Sequence, residues 1–366
     1  MVERIRRFQG GEQLMVTIDW SDTELETSVS VLQVDPHDRG SVLGTLPFNS
    51  VSISYGYYTD TRVSAKISTY DADKLIGGAW LRIVLEVVGT DYRNDLFTGY
   101  ISGLDESMEA GATKTDMELS SALKAIEGDA STALFCVGAR ATAQQAISAA
   151  MAKTGMPYFV SPTAGDYRYT SQRMYDPGES WLSTLFDLAG AAGAHIDVDG
   201  RGIVTFDGYT PPSSASPAWV MDAESKRSIV LSATVSRSSD IYERPNRSIV
   251  IFKDEDKIIS GYADLGGGSP HSAARRGVVL AEVHELDDMP SPRSASQAQR
   301  MAQQYLESDA ASSVEWNVTA MLDPDISCGS VGLFNPGSNQ GVHKVLVTSV
   351  DLDPLTMRMD LELKEV

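Results

Sequence analysis

Hydrophobic and polar positions alternate most regularly in the last third of the chain. From Val314 the residues run V-E-W-N-V-T-A-M-L, with Val314, Trp316, Val318, Ala320 and Leu322 apolar. The chain closes M-R-M-D-L-E-L-K-E-V, with Met357, Met359, Leu361 and Leu363 on one side and Arg358, Asp360, Glu362 and Lys364 on the other. A period of two marks a strand that buries one face and shows the other to water. Upstream, Ala298, Met301, Ala302, Tyr305 and Leu306 share one stripe of an amphipathic helix expected over 294–306, with Ser294 and Gln297 as its capping box.

The same reading divides the whole chain into three segments. In 1–125, strands are expected at 15–20, 50–55, 62–70, 81–88 and 96–104, separated by turn clusters such as D-P-H-D-R-G and L-I-G-G. Short strands at this spacing suggest a barrel or sandwich. The segment 126–223 changes character. Thr142 opens an Ala-rich helix with Ala146, Ile147, Ala150 and Met151 inward, ending at Gly155. A second helix is expected after Asp176, with Pro177 in its first turn, Glu179 closing a capping box, and Trp181, Leu182, Leu185, Phe186 and Ala189 buried. H-I-D-V-D-G-R-G-I-V-T-F then reads as a β-hairpin about an Asp-Gly turn. T-P-P-S-S-A-S-P (210–217) is a linker or long loop, and 224–366 is strand-rich again, with strands expected at 227–235, 247–252 and 277–284 and the helix inserted. The fold class expected is α+β, predominantly β, with two β-modules flanking a small α+β module.

Composition narrows the function. At 366 residues the chain exceeds one ordinary core, and 42% hydrophobic residues indicate a folded protein. Thirty basic against fifty acidic residues give −20, which disfavours specific nucleic-acid binding and attachment to an anionic membrane surface. Cys136 and Cys328 belong to no metal-type cluster; one long-range disulfide or two free thiols both fit their spacing. The N-terminal M-V-E-R-I-R-R-F has no apolar core of a secretion signal, and no apolar run approaches the ~18 residues of a membrane span. The expectation is a protein made in a cytoplasm, with no membrane segment.

Candidate chemistry is thin. His195, Asp197 and Asp199 lie on one side of a strand, as metal ligands do, but alternation with Ile196 and Val198 is also the outward pattern of a solvent-facing hairpin, and that is the favoured reading. His284, Glu285, Asp287 and Asp288 lack the second histidine of a zinc helix and read as an acidic surface segment. Gly266, Gly267, Gly268 and Ser269 lack the Lys-Ser/Thr ending of a phosphate loop. There is no G-x-S-x-G elbow, and any pairing of the many carboxylates is invisible in sequence. Of five tryptophans, Trp20, Trp80, Trp181 and Trp316 read mostly as core, while Trp219 after the linker is least settled as a carbohydrate platform. Arg4, Arg6 and Arg7, interleaved with Ile5 and Phe8, form either a solvated terminus or an arm that docks on an acidic neighbour. No catalytic, cofactor-binding or metal residue is designated, and no cofactor is expected.

L-F-T-G-Y-I-S-G-L-D-E (96–106), preceded by L-R-I-V-L-E-V, resembles the first domain of phage tail hub proteins, including baseplate hubs of contractile tails and the hub-like N-terminal part of tail-associated lysins. G-E-S-W-L-S-T-L-F-D-L-A-G-A-A-G-A-H-I-D-V-D-G-R-G-I-V-T-F (178–206) resembles the family's helix-then-hairpin unit, and the same holds for R-P-N-R-S-I-V-I, the S-A-S-Q-A-Q-R-M-A helix, L-D-P-D-I-S-C-G-S-V-G-L-F and the final strands around D-P-L-T-M. The resemblance is one of element order over nearly the whole chain, without a peptidase, lysozyme or fibrous extension. It implies two tail-tube-like β-barrels, 1–125 and 224–366, flanking the small α+β domain 126–223. It implies a non-enzymatic virion protein at the tail tip, a minor tail protein forming a homotrimeric ring that continues the tail tube and lets DNA pass. Its implied partners are tail-tube, distal-tail, tape-measure and receptor-binding proteins. The alternatives are a carbohydrate- or receptor-binding tail protein and a cell-wall hydrolase.

Overall fold

The computed structural model describes residues 18–22, 25–109, 111–237, 245–254, 257–267, 269, 271–286, 295–309, 314–337 and 340–366. Strands Val314–Met321 and Arg358–Glu365 pair antiparallel, and Trp316, Val318, Ala320, Met359, Leu361 and Leu363 are all buried. A slip of one residue would turn every one of them to water, so burial selects this register. Strand His343–Asp353 pairs with Arg358–Glu365 and, through Leu352 opposite Ile53, with Ser50–Gly56 from the first segment.

That contact merges the two ends of the chain into one 13-stranded sheet. Its main path runs Val230–Arg237, Val314–Met321, Arg358–Glu365, His343–Asp353, Ser50–Gly56, Val63–Thr69, Ala112–Ser120, Arg93–Glu109, Trp80–Val87, Thr27–Val34 and Val42–Thr45. Val331–Asn335 and Trp219–Asp222 branch from His343–Asp353. The chain is predominantly β with a few helices, in keeping with the α+β expectation. Two closed barrels, however, do not form among the described residues. The pairing path is open, and Val51, Ile53, Ile83 and Leu85 share one core with Trp316 and Leu361. Alternation fixes which side of a strand is buried but not which strand it pairs with, so it does not separate one shared sheet from two rings. Strands Thr27–Val34, Val42–Thr45 and Ala112–Ser120 go beyond the sequence reading, whereas Ile18–Trp20, the described part of the expected 15–20 strand, is not extended.

The middle segment has a core of its own, and it covers the back of the first strands. Val34 and Trp80 join that core while Leu81, Ile83 and Leu85 point into the main one, so Trp80–Val87 is buried on both faces. Helix Ala143–Thr154 is capped reciprocally: Thr142 Oγ1 accepts from the Gln145 amide at 3.1 Å, and Gln145 Oε1 accepts from the Thr142 amide at 3.0 Å. Gly155 ends it at φ 68°. The next helix starts later than expected. Gly178 at φ 92° diverts the backbone after Pro177, so Asp176–Glu179 forms a turn and Ser180 caps Trp181–Ala192 through the Leu182 amide. Its buried stripe includes Leu188 as well as Trp181, Leu182, Leu185 and Ala189, with Phe186 half-buried.

Between strands Val230–Arg237 and Val314–Met321, which pair with each other, the chain carries an inserted lobe. Its sheet of Lys257–Asp264, Arg247–Asp254 and Ala281–Leu286 is separate from the main one and packs against helix Ala295–Asp309. Ala298, Ala302 and Leu306 meet Val250, Phe252 and Ala263, as the helical stripe predicts. The expected capping box of Ser294 and Gln297 lies outside the described residues.

Candidate functional site

Strands Ala194–Val198 and Val204–Gly208 form the predicted hairpin, and Ile196, Val198, Val204 and Phe206 enter the middle core. Alternation therefore sends His195, Asp197 and Asp199 to the opposite side. That side does not face open solvent, as the sequence suggested. It faces the main sheet, and all three residues are half-buried. Tertiary packing of the hairpin on a neighbouring unit, which periodicity does not encode, accounts for the difference.

The turn of the hairpin is clasped by the first segment. Thr98 Oγ1 donates to the Gly200 carbonyl at 2.7 Å, and the Arg39 guanidinium donates to the Gly202 carbonyl. Arg39 lies 3.8 Å over the Trp80 ring. Arg82 donates to Thr98 Oγ1 at 3.0 Å and to the Arg39 carbonyl at 2.7 Å, and pairs with Asp95 at 3.5 Å. Burial, and then the neighbouring Arg82, push Arg39 down to about 10. Gly200 is required by space: a Cβ there would sit 1.5 Å from the Asp95 carbonyl oxygen. Asp199 shapes the turn by accepting from the Arg201 and Ile203 amides at 3.0 and 2.8 Å.

Beside this clasp lies a cavity of about 260 Å³ where the hairpin, the main sheet and the loop Asp323–Cys328 meet. Arg62, a non-glycine residue at φ 59°, closes the turn after Ser50–Gly56, and its Nε donates to the Ile196 carbonyl at 3.1 Å. Tyr57 stacks on His195 with ring centroids 5.4 Å apart and an interplanar angle of 19°. The Tyr55 hydroxyl donates to the Leu96 carbonyl. On the third wall, Asp323 Oδ1 accepts from the Asp325 amide at 3.0 Å, and the Cys328 thiol lies 3.5 Å from the Thr348 carbonyl oxygen.

Burial dominates the electrostatics here. Together with nearby Arg62, it pushes His195 down to about 4, so the imidazole is neutral at physiological pH. Burial raises Asp197 against the opposing Val198 amide and Arg62, raises Asp323 to about 6, and raises the Cys328 thiol to about 12. A thiol so raised is a poor nucleophile. No hydrogen bond joins Cys328 to His195 or His195 to Asp197 among the described residues. No group of three His, Cys, Asp or Glu side chains is arranged to hold a metal ion among them either.

The other sequence candidates scatter. His284 stacks on Tyr305 with centroids 4.0 Å apart, and Glu285 pairs with Lys253 at 2.9 Å. Asp287, Asp288, Gly268 and the arm residues Arg4, Ile5, Arg6, Arg7 and Phe8 lie outside the described residues. Gly266 and Ser269 close a turn through a 2.9 Å backbone bond. Cys136 and Cys328 are both free thiols, the first exposed. Trp219 is buried with the other four tryptophans; its ring lies over Gly332 and its Nε1 donates to Ser330 Oγ at 2.8 Å. Sequence reasoning missed Arg39, Arg62, Arg82, Tyr57 and Asp323. Only Arg82 left a signal, as a lone charge inside the apolar run W-L-R-I-V-L.

No helix among the described residues is long and apolar enough to cross a membrane. No family model matches the sequence, and no curated protein matches it. Solved structures do share the fold. The tail protein from Neisseria meningitidis MC58 matches with a TM-score of 0.68 at 12% identity, over 93% of this chain and 96% of that one. The 43 kDa tail protein of prophage MuSo2 from Shewanella oneidensis matches at 0.65 and 12% identity, over 92% and 98%. Prophage tail protein gp18 from Listeria monocytogenes EGD-e matches at 0.58 and 10% identity, over 92% and 94%. The chain has the fold of these phage tail proteins, the fold expected from its resemblance to tail hubs.

Proposed function

We propose that this chain is a structural, non-enzymatic phage tail protein that forms the hub at the tail tip or baseplate. The observation that carries the proposal is the near full-length correspondence with tail proteins in both directions. In this reading 1–125 and 224–366 supply the tube-like part and 126–223 buttresses it. Three copies form the ring, continue the tail tube, and anchor distal-tail, tape-measure and receptor-binding proteins.

The charge of the main sheet suits that role. Ser52, Ser54, Lys66, Glu118, Asp351, Asp360 and Glu362 are exposed on its outer side, opposite the apolar core. A ring of three copies triples a charge of −20, and carboxylates on a channel wall keep DNA from adhering as it passes. The test is immunogold labelling of intact particles with an antibody to this chain, together with native mass spectrometry of the purified protein. Label at the tail tip and a trimeric mass are expected. Absence from purified particles, or label on the capsid or along the shaft, overturns the proposal.

A further inference from the structure

The main sheet is open at both ends of its path, and the two edges are not alike. At one end Val42–Thr45 has four residues, too few to template much pairing. At the other, Val230–Arg237 has eight. It pairs with Val314–Met321 on one side, and no described residue makes a backbone hydrogen bond to its outer side. Its sequence, V-L-S-A-T-V-S-R, has neither proline nor lysine, and its register shift is confined to Leu231, which is 52% exposed. A long edge with so little protection is a template for another strand, because its outward N–H and C=O groups need partners.

The segment within reach is the chain's own residues 1–17, which fall outside the described residues. They join the fold at Ile18, which packs on the main core as Ile229 and Val230 do, and Trp20 is buried in that core. Asp19 pairs with Arg227 at 3.3 Å, just before the edge strand begins. Traced backwards from Ile18, the chain thus starts beside the first residues of Val230–Arg237, and continuing along that strand it runs antiparallel. At about 3.3 Å per residue, residues 10–17 match the length of the eight-residue strand. Gly10 and Gly11 then fall at its far end, where glycine weakens a strand. Between them and Ile18, Leu14 and Val16 alternate with Gln13, Met15 and Thr17. That pattern suits a neighbour that turns Ala233 to the core and leaves Ser232 and Thr234 exposed. A tethered segment also meets this edge at a high effective concentration, which favours it over a strand from another chain.

We propose that residues 12–17 add to Val230–Arg237 of the same chain as an antiparallel edge strand, and so deny that edge to other chains. With Ile18 level with Ile229, Met15 lies opposite Ser232 and Gln13 opposite Thr234. The contact does not depend on the tail reading. It guards the sheet against edge-to-edge addition in whichever assembly the chain enters.

Hydrogen–deuterium exchange of the full chain, resolved by peptide mass spectrometry, tests the pairing. Relative to their intrinsic rates, amides of 12–17 should exchange at least about tenfold more slowly than those of 2–9. Disulfide trapping tests direction and origin. In a Cys136→Ser background, which removes the exposed thiol, Met15→Cys with Ser232→Cys should close under copper–phenanthroline at least about tenfold faster than Glu3→Cys with Ser232→Cys. The product should run at the mass of one chain on a non-reducing denaturing gel. Val16→Pro removes an amide and bends the segment. It should erase the slow exchange of 12–17 and add self-association beyond that of the unaltered chain, seen by light scattering, while Arg358–Glu365 exchanges as slowly as before. Exchange of 12–17 as fast as 2–9 in the unaltered chain overturns the proposal. So does equal closure of the two cysteine pairs, or a product at twice the chain mass, which would make the segment a neighbour's. A Val16→Pro chain that loses the slow exchange yet associates no further overturns the guarding role.

Discussion

Replacing Asp323 with Asn should make the protein more stable at neutral pH and leave it nearly unchanged in mild acid. The carboxyl sits at the three-way junction, where burial raises it from 3.8 to about 6. Below the ordinary value, folded and unfolded chains are both protonated at this site. Between the two values the folded chain keeps a proton that the unfolded chain has released, so stability falls as pH rises through about 6. At about 1.4 kcal/mol per pH unit the full loss is about 3 kcal/mol, and solvent reaching the half-buried group lowers it to about 1–3 kcal/mol. Asn cannot ionise, yet its Oδ1 can still accept from the Asp325 amide, so the local turn persists. Urea unfolding of both proteins, from about pH 4 to about pH 8, measures the difference. Other titrating groups change both curves alike and cancel. The expected difference is near zero at about pH 4 and grows to about 1–3 kcal/mol in favour of Asn by about pH 7.5. A constant offset across the range would refute the reasoning, and so would a wild-type protein that gains on the variant as pH rises.

Leu361→Asp places a carboxylate on the face that Val318 and Val350 flank, at a position 2% exposed, and should cost several kcal/mol, read as loss of soluble folded protein. Gly200→Ala sets a methyl group against the Asp95 carbonyl and should loosen the hairpin from the first segment, lowering the melting temperature and raising amide exchange at 194–208 while the main sheet stays protected. Changing Arg4, Arg6 and Arg7 together to Ser should leave the melting temperature unchanged and produce a salt-dependent assembly defect in native mass spectra. A lowered melting temperature from Ile5 and Phe8 both changed to Ser would instead place the arm in the core.

Several elements were fully legible in the sequence because their signals are local. The strands Val314–Met321 and Arg358–Glu365 follow from strict alternation, which exposes an edge of polar side chains wherever the strand lies. The Thr142 and Gln145 capping box closes within one turn of backbone, so no distant contact is needed to form it. The hairpin after Ala194 is set by its own turn chemistry, and Asp199 completes that turn with its side chain.

Long-range pairing was decided only in three dimensions. Nothing local to Ser50–Gly56 names His343–Asp353 as its neighbour, because the hydrogen-bonding edge of any strand is the same backbone, and the choice depends on which apolar faces close over the common core. The burial of Trp219 is of the same kind, since it depends on Gly332 across a parallel strand pair to leave room for the indole. The junction followed the same logic. Alternation put His195, Asp197 and Asp199 on one side of a strand but could not say whether water or protein lay opposite. Arg62, Tyr57 and Asp323 come from turns and loops far away in sequence, and the desolvation that shifts the junction's acids and its imidazole exists only once three separate parts of the chain have met.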